Sequence, residues 1–267
     1  ATKRTTTAPS RRAATSKLFE SLQPAVRELV RRLVGQPDDT DDIVQDTLIE
    51  GVEALGGPSE ERLTDRLDAS AMRLVLAFLA ERRRWRAAAQ IHAQEAVDEQ
   101  GLAEELLDLL HDDEFQFDVR EHVAFCFACV SRALPLEQHV AVNLVDVVGL
   151  DLARAAALTA ADEERLQKYL TEGRAALGGL YDRLCRLSSD DGACDHCRGL
   201  RDAAAPTRKG PEIDGPGGVT RDLRDPIPEA RLTARVRMVR GANLDRGGSH
   251  ELHDQLFRLI DRSEQNR

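Results

Sequence analysis

From Leu18 to Leu55 apolar side chains return every third or fourth position. Leu22, Val26, Leu29, Val30 and Leu33 together make one apolar face of an α-helix. Gly35-Gln36-Pro37 interrupts the pattern, and Pro37-Asp38-Asp39-Thr40-Asp41-Asp42 supplies capping residues for a second helix through Leu55. Gly56-Gly57-Pro58 stops that helix, and a third helical stretch runs from about Glu60 to Ala89, ending in Glu81-Arg82-Arg83-Arg84-Trp85-Arg86. Aromatic residues make up only 4% of the chain, with one Trp and two Tyr. Helices packed through Leu and Ala fit that composition better than a sheet of aromatic and β-branched residues. The expected class is all-α.

The chain divides by composition. Residues 1–17 hold five basic residues and no acidic one and read as a disordered basic tail. Residues 18–92 form the first helical domain. Residues 93–118 are an acidic linker, because ten carboxylates and no Lys or Arg lie between Gln94 and Asp118. Residues 119–190 form a second helical domain, punctuated at Leu134-Pro135, at Gly149 and near Thr159 to Asp162. Residues 191–267 hold a Cys-containing turn, a linker with nine Pro or Gly between Pro206 and Pro228, and a C-terminal extension. In that extension Leu232, Ala234, Val236 and Met238 alternate with polar residues, which predicts a strand. Ser249 caps a predicted last helix carrying Leu252, Leu256, Leu259 and Ile260.

The net charge of −10 argues against indiscriminate nucleic-acid binding by the whole surface, though local basic patches remain. No apolar run is long enough to span a bilayer and the start lacks a secretory core, so a cytoplasmic protein without membrane insertion is expected. There is no glycine-rich phosphate loop, H-E-x-x-H or nucleophile elbow, which points away from an enzyme. His92, His111, His122, His139, His250 and His253 are scattered among polar helix positions and read as surface residues.

Two motifs narrow the class. Asp41-Asp42-Ile43-Val44-Gln45-Asp46-Thr47-Leu48, after Leu33-Val34-Gly35, resembles the polymerase-docking segment of extracytoplasmic-function sigma factors of the sigma-70 family. Leu134-Pro135-Leu136-Glu137-Gln138-His139, followed by Asp146-Val147-Val148-Gly149-Leu150, resembles the promoter-reading C-terminal domain of the same family. The resemblance covers residues 18 to 190. It implies a region 2-like domain and a region 4-like helix-turn-helix domain, with the small strand and helix extension lying beyond the resemblance. In that register Asp151 to Leu158 is the supporting helix, Thr159 to Ala161 the turn and Asp162 to Leu177 the recognition helix. The sequence departs from the family at Arg66, Arg73 and Ala77, where Trp, Asn and Asp are usual, and at Ala160, where glycine is common. The recognition helix opens on Asp162-Glu163-Glu164, which suits the helix dipole but repels phosphate.

The resemblance implies a transcription initiation factor that binds core RNA polymerase and promoter DNA, with an anti-sigma factor as a further partner. Asp41, Asp42, Gln45, Asp46 and Ile49 are the polymerase-binding candidates; Asp42, Gln45, Asp46 and Ile49 share one helix face. Arg82, Arg83, Arg84 and Arg86 are candidates for phosphate contacts, and Trp85 for stacking on a displaced base. Arg165, Gln167, Lys168, Tyr169 and Arg174 are candidates for promoter contacts. A second functional class is a sigma-derived regulator or adaptor that binds polymerase or a partner with little promoter recognition, in a metal- or redox-responsive form. Its motif is Cys126-Phe127-Ala128-Cys129 with Cys194-Asp195-His196-Cys197, two C-x-x-C pairs able to complete a four-thiolate zinc site. Buried structural cysteines are the competing reading.

Overall fold

The computed structural model describes residues 11–53, 60–89, 91–92, 119–185, 225–244 and 250–267. Its helices are α1 (Arg11–Val34), α2 (Pro37–Glu53), α3 (Glu60–Glu81), α4 (Val119–Ser131) and α5 (Leu136–Val142), which runs into a π segment (Asn143–Val148). They continue as α6 (Leu152–Thr159), α7 (Glu163–Leu184), α8 (Pro228–Gly241) and α9 (His250–Gln265). The all-α class holds, and no sheet occurs among the described residues. Helix α1 starts at Arg11, inside the stretch read as a disordered tail. The acidic linker, the Cys194–Cys197 turn and most of the Pro/Gly linker lie outside the described residues.

Helices α1, α2 and α3 pack on one another. The predicted face of α1 is the buried one, with Val26, Leu29, Val30 and Leu33 meeting Val44, Leu63, Leu67 and Val75. Gly35 ends α1 in the left-handed region, φ +80°, and its N–H donates to the Arg31 carbonyl at 3.0 Å. A Cβ there would lie 2.5 Å from the Phe257 ring of α9, so both backbone and packing require glycine. Pro37 then opens α2 where its missing N–H costs nothing.

In the second block α5 packs most extensively on α7, and α8 lies against α4, α7 and the π segment. The Asn143 side chain donates back to the His139 carbonyl at 2.8 Å, just where the regular helix gives way to the wider π turns. Leu144 then accepts from both Gly149 and Leu150, at 3.1 and 3.0 Å, and Gly149 takes φ +87°. Asp151 and Asp162 cap α6 and α7 by accepting from the Arg154 and Arg165 amides, each at 2.7 Å. Between these helices Ala160 sits at φ +52°, the only non-glycine with positive φ among the described residues. That conformation costs an alanine on the order of 1 kcal/mol, which glycine would avoid.

The two blocks share one apolar cluster and are tied by polar contacts. Arg154 of α6 pairs with Asp65 and Asp68 of α3, each at 2.8 Å. Buried Arg32 of α1 donates to the carbonyls of Val239 and Ala242 at 2.8 and 2.7 Å, fastening the end of α8.

His139 of α5 lies 3.0 Å from the carbonyl of Leu33 at the end of α1. That carbonyl can only accept, so the Nε2 carries the proton and Nδ1 faces the Asn143 amide at 3.3 Å. Burial, reinforced by the Arg132 charge, pushes this imidazole down from its ordinary 6.5 to about 4, against the opposing pull of the backbone carbonyls. The folded state therefore refuses a proton that the unfolded chain accepts. Stability is full above pH 6.5 and falls as the pH drops towards 4, by about 3 kcal/mol if the whole shift is realised. Denaturation at pH 7.5 and 4.5 checks this: His139→Gln is expected to be less stable at the higher pH and to lose less on acidification.

Two expectations are corrected here. The predicted strand around Leu232 to Met238 is the middle of α8. Its alternation was misread because Arg235, taken as outward, is 1% exposed. The Arg235 guanidinium lies 3.8 Å over the Tyr181 ring and donates to Cys185 Sγ at 3.4 Å. Ala234, Arg235 and Val239 are then one helical face, opened by Pro228. The histidines are the second correction: His122, His139 and His253 are buried, not on the surface.

Candidate functional surfaces

The first surface is on α2. Ile43, Val44 and Thr47 turn into the core, and the Thr47 hydroxyl is satisfied by the Ile43 carbonyl at 2.7 Å. This rotation leaves Asp42, Gln45, Asp46 and Ile49 on the opposite, exposed face. Ile49 is 49% exposed, unusual for a large aliphatic residue in a helix that had a core available. Asp41 is exposed beside this row and pairs with Arg27 of α1. All five predicted docking residues thus lie at the surface, and neither Asp42 nor Asp46 makes an ion pair among the described residues.

The second surface is the basic segment after α3. The expectation was a helical run to Ala89, but the helix ends at Glu81 and the chain through Arg86 is irregular. Its backbone amides therefore need other acceptors. They find them just past the end of α4 and in α9. Trp85 N–H donates to the Arg132 carbonyl at 3.2 Å, Arg83 N–H to the Gln265 side chain at 2.9 Å, and Arg86 N–H to Glu264 at 2.8 Å.

The side chains of this segment divide. Arg82 pairs with Asp261 at 3.1 Å and Asp39 at 3.3 Å, and lies 4.7 Å over the Phe78 ring. Arg86 grips Glu264 through Nε at 2.8 Å and Nη2 at 2.6 Å. Arg83 and Arg84 keep exposed side chains. Trp85 is 2% exposed, its Nε1–H donates to Asp261 at 3.1 Å, and its ring centroid is 4.8 Å from that of Phe257. In this arrangement Trp85 presents no face for stacking a base, because α9 covers it.

Electrostatics follow the burial. Burial lifts the Asp39 carboxyl above its ordinary value, and nearby Asp261 adds to the effect, while Arg82 opposes it. Burial acts the same way on Glu264, but the hydrogen bonds and charge of Arg86 outweigh it and hold that carboxyl below its ordinary value.

The third surface is the turn between α6 and α7. Arg165, Gln167 and Lys168 are exposed on the first turns of α7, with Lys168 3.8 Å from Glu172 and Gln167 bonded to Thr171 at 3.3 Å. Tyr169 is half-buried against the core. Arg174 instead braces α7 to the π segment, holding Asp146 through two bonds of 2.9 and 2.5 Å. That bidentate pair ties Arg174 to the fold, while its side chain stays 43% exposed.

The cysteines separate as well. Cys129 is buried in an apolar cluster with Trp85, Phe125, Phe257 and Ile260, while Cys126, on the same helix, is half-buried. Cys194 and Cys197 lie outside the described residues, and no metal-ligating group of three or more side chains occurs among those described. No described helix is long and apolar enough to cross a membrane.

The residues that sequence reasoning missed are Phe257, Asp261, Glu264 and Gln265. A signal was present. Asp261 and Glu264 fall at helical spacing from Phe257 and Ile260, which puts carboxylates on the buried face of an amphipathic helix.

Residues 18–62 match the sigma-70 region 2 family. The match takes in α1 from Leu18, all of α2 and the start of α3, and contains every residue of the exposed α2 row. It supports a member of the sigma-70 family, a family of non-enzymatic transcription factors that act with core RNA polymerase. Neither a curated protein nor a solved structure matches the chain.

Proposed function

We propose that this chain is an RNA polymerase sigma factor of the extracytoplasmic-function type, which directs core polymerase to promoters and helps open the DNA. The observation that carries the reading is the row Asp42, Gln45, Asp46 and Ile49, exposed on one face of α2 inside the segment that matches region 2. A polar row edged by an exposed isoleucine suits a helical partner, because the rim supplies specificity and the apolar residue is buried on docking. Arg82, Arg83, Arg84, Trp85 and Arg86 are assigned to the opened DNA in this reading. Arg165, Gln167 and Lys168 are assigned to the upstream promoter element, with Tyr169 beside them.

One observation favours the second reading, a sigma-derived adaptor. Asp162, Glu163 and Glu164 are all exposed where α7 would approach phosphate, and Arg174 is engaged elsewhere. Co-purification with core polymerase followed by sequencing of the bound DNA separates the two. A sigma factor enriches a discrete set of sites upstream of transcripts that it starts in a run-off assay. Polymerase binding without such sites establishes the adaptor, and no polymerase binding removes the sigma factor and leaves only an adaptor that acts on another partner.

A further inference from the structure

Helix α9 makes an unusual set of contacts with the basic segment. Asp261 and Glu264 are carboxylates, yet they are 6% and 0% exposed on the buried face of a surface helix. Each meets arginine of the segment assigned to DNA: Asp261 takes Arg82 and the Trp85 indole N–H, while Glu264 takes Arg86 through backbone and side chain. Phe257 of the same helix covers the Trp85 ring. Anionic oxygens on guanidinium groups and an aromatic ring on an indole are the two interactions that single-stranded nucleic acid offers such a surface.

The seat of α9 is also separate from the main core. Its apolar contacts form a second, smaller cluster around Trp85, Phe125 and Ile260. The rest of its attachment is polar. Asp254 pairs with Arg31, Arg258 with Asp38 at 3.1 Å, and His253 faces His122 at 3.2 Å. Meanwhile the docking row on α2 stays uncovered. The chain thus closes one of its proposed interfaces, the Arg82–Arg86 segment, and leaves the α2 row open.

We propose that α9 is an intramolecular stand-in for nucleic acid, whose Asp261, Glu264 and Phe257 occupy the phosphate and base positions of the Arg82–Arg86 segment, so that this segment binds opened DNA only after α9 has left. The inference rests on the reading of that segment as a DNA contact. Binding of DNA and docking of α9 are then mutually exclusive, and each must weaken the other by the same factor. The affinity of the closed chain for DNA is reduced by the fraction of molecules in which α9 is released.

Two measurements on the full chain test this, with a duplex carrying a short unpaired bubble as the probe. The first compares the wild type with Asp261→Asn/Glu264→Gln, which keeps the shape of α9 and removes its charge. DNA affinity is expected to rise at least ~tenfold, with core polymerase affinity unchanged. The second is hydrogen exchange of the wild type with and without the probe at saturation. The α9 amides are expected to lose protection when DNA is bound, while those of α1 keep it. Protection of α9 that persists in the DNA complex overturns the proposal even where the double variant folds poorly. So does a folded double variant with wild-type DNA affinity. If neither protein binds core polymerase or DNA, it is the sigma reading that fails, and the latch falls with it.

Discussion

Asp42→Arg combined with Asp46→Arg is expected to abolish binding to core RNA polymerase while leaving the protein folded. Both carboxylates are exposed, one turn apart, and make no ion pair among the described residues, so their replacement breaks nothing inside the molecule. Asp42 lies just after the first turn of α2, where a positive charge opposes the helix dipole by about 0.5 kcal/mol. Relief of repulsion from Asp38, Asp39 and Asp41 offsets part of that. Against a partner surface complementary to carboxylates, two reversals place like charges face to face, a penalty of about 4 kcal/mol or roughly a thousandfold in affinity. Surface plasmon resonance against core polymerase reads the affinity and circular dichroism the fold. A double variant that binds within threefold of the wild type removes α2 from the interface.

Trp85→Ala carries the second large effect. The indole is buried, it contacts Phe257, and its N–H is satisfied by Asp261. Truncating an aromatic residue so placed costs about 3–5 kcal/mol, since transfer energy is lost, a cavity remains and Asp261 loses a donor. The loss is expected to fall on α9 and not on the whole chain, because Trp85 belongs to the smaller apolar cluster. Hydrogen exchange should report α9 amides exposed by about a hundredfold or more, at the 1.4 kcal/mol per tenfold that applies to any such equilibrium. The α1 and α3 amides should change little. A Trp85→Ala protein with α9 as protected as in the wild type would show that the indole does not hold the helix. As the only tryptophan in the chain, Trp85 also gives a direct fluorescence signal of α9 release in the wild type.

Those two sites mark where the sequence is legible and where it is not. The exposed row of α2 could be read directly. Helical periodicity divides Ile43, Val44 and Thr47 from Asp42, Gln45, Asp46 and Ile49, and a single buried face decides which set turns outward. The breaks at Gly35-Gln36-Pro37, at Gly149 and near Thr159 to Asp162 were legible for the same reason, since each depends on interactions within a few residues.

Partners far along the chain decided the rest. Nothing local distinguishes an arginine run aimed at DNA from one gripped by Asp261 and Glu264, some 180 residues away. Nothing local shows that Arg174 is spent on Asp146, or that the Arg235 guanidinium is stacked on Tyr181 inside the molecule. A period-two alternation from Leu232 to Met238 reads as a strand only while Arg235 is assumed to face water. The sequence by itself determined most helix positions, the all-α class and which face of α2 stays exposed, because hydrophobic spacing and capping act over one or two turns. Which charges are covered, which histidines are buried and which interface stands open were decided by the tertiary structure alone, because burial and ion pairing depend on where distant segments come to rest.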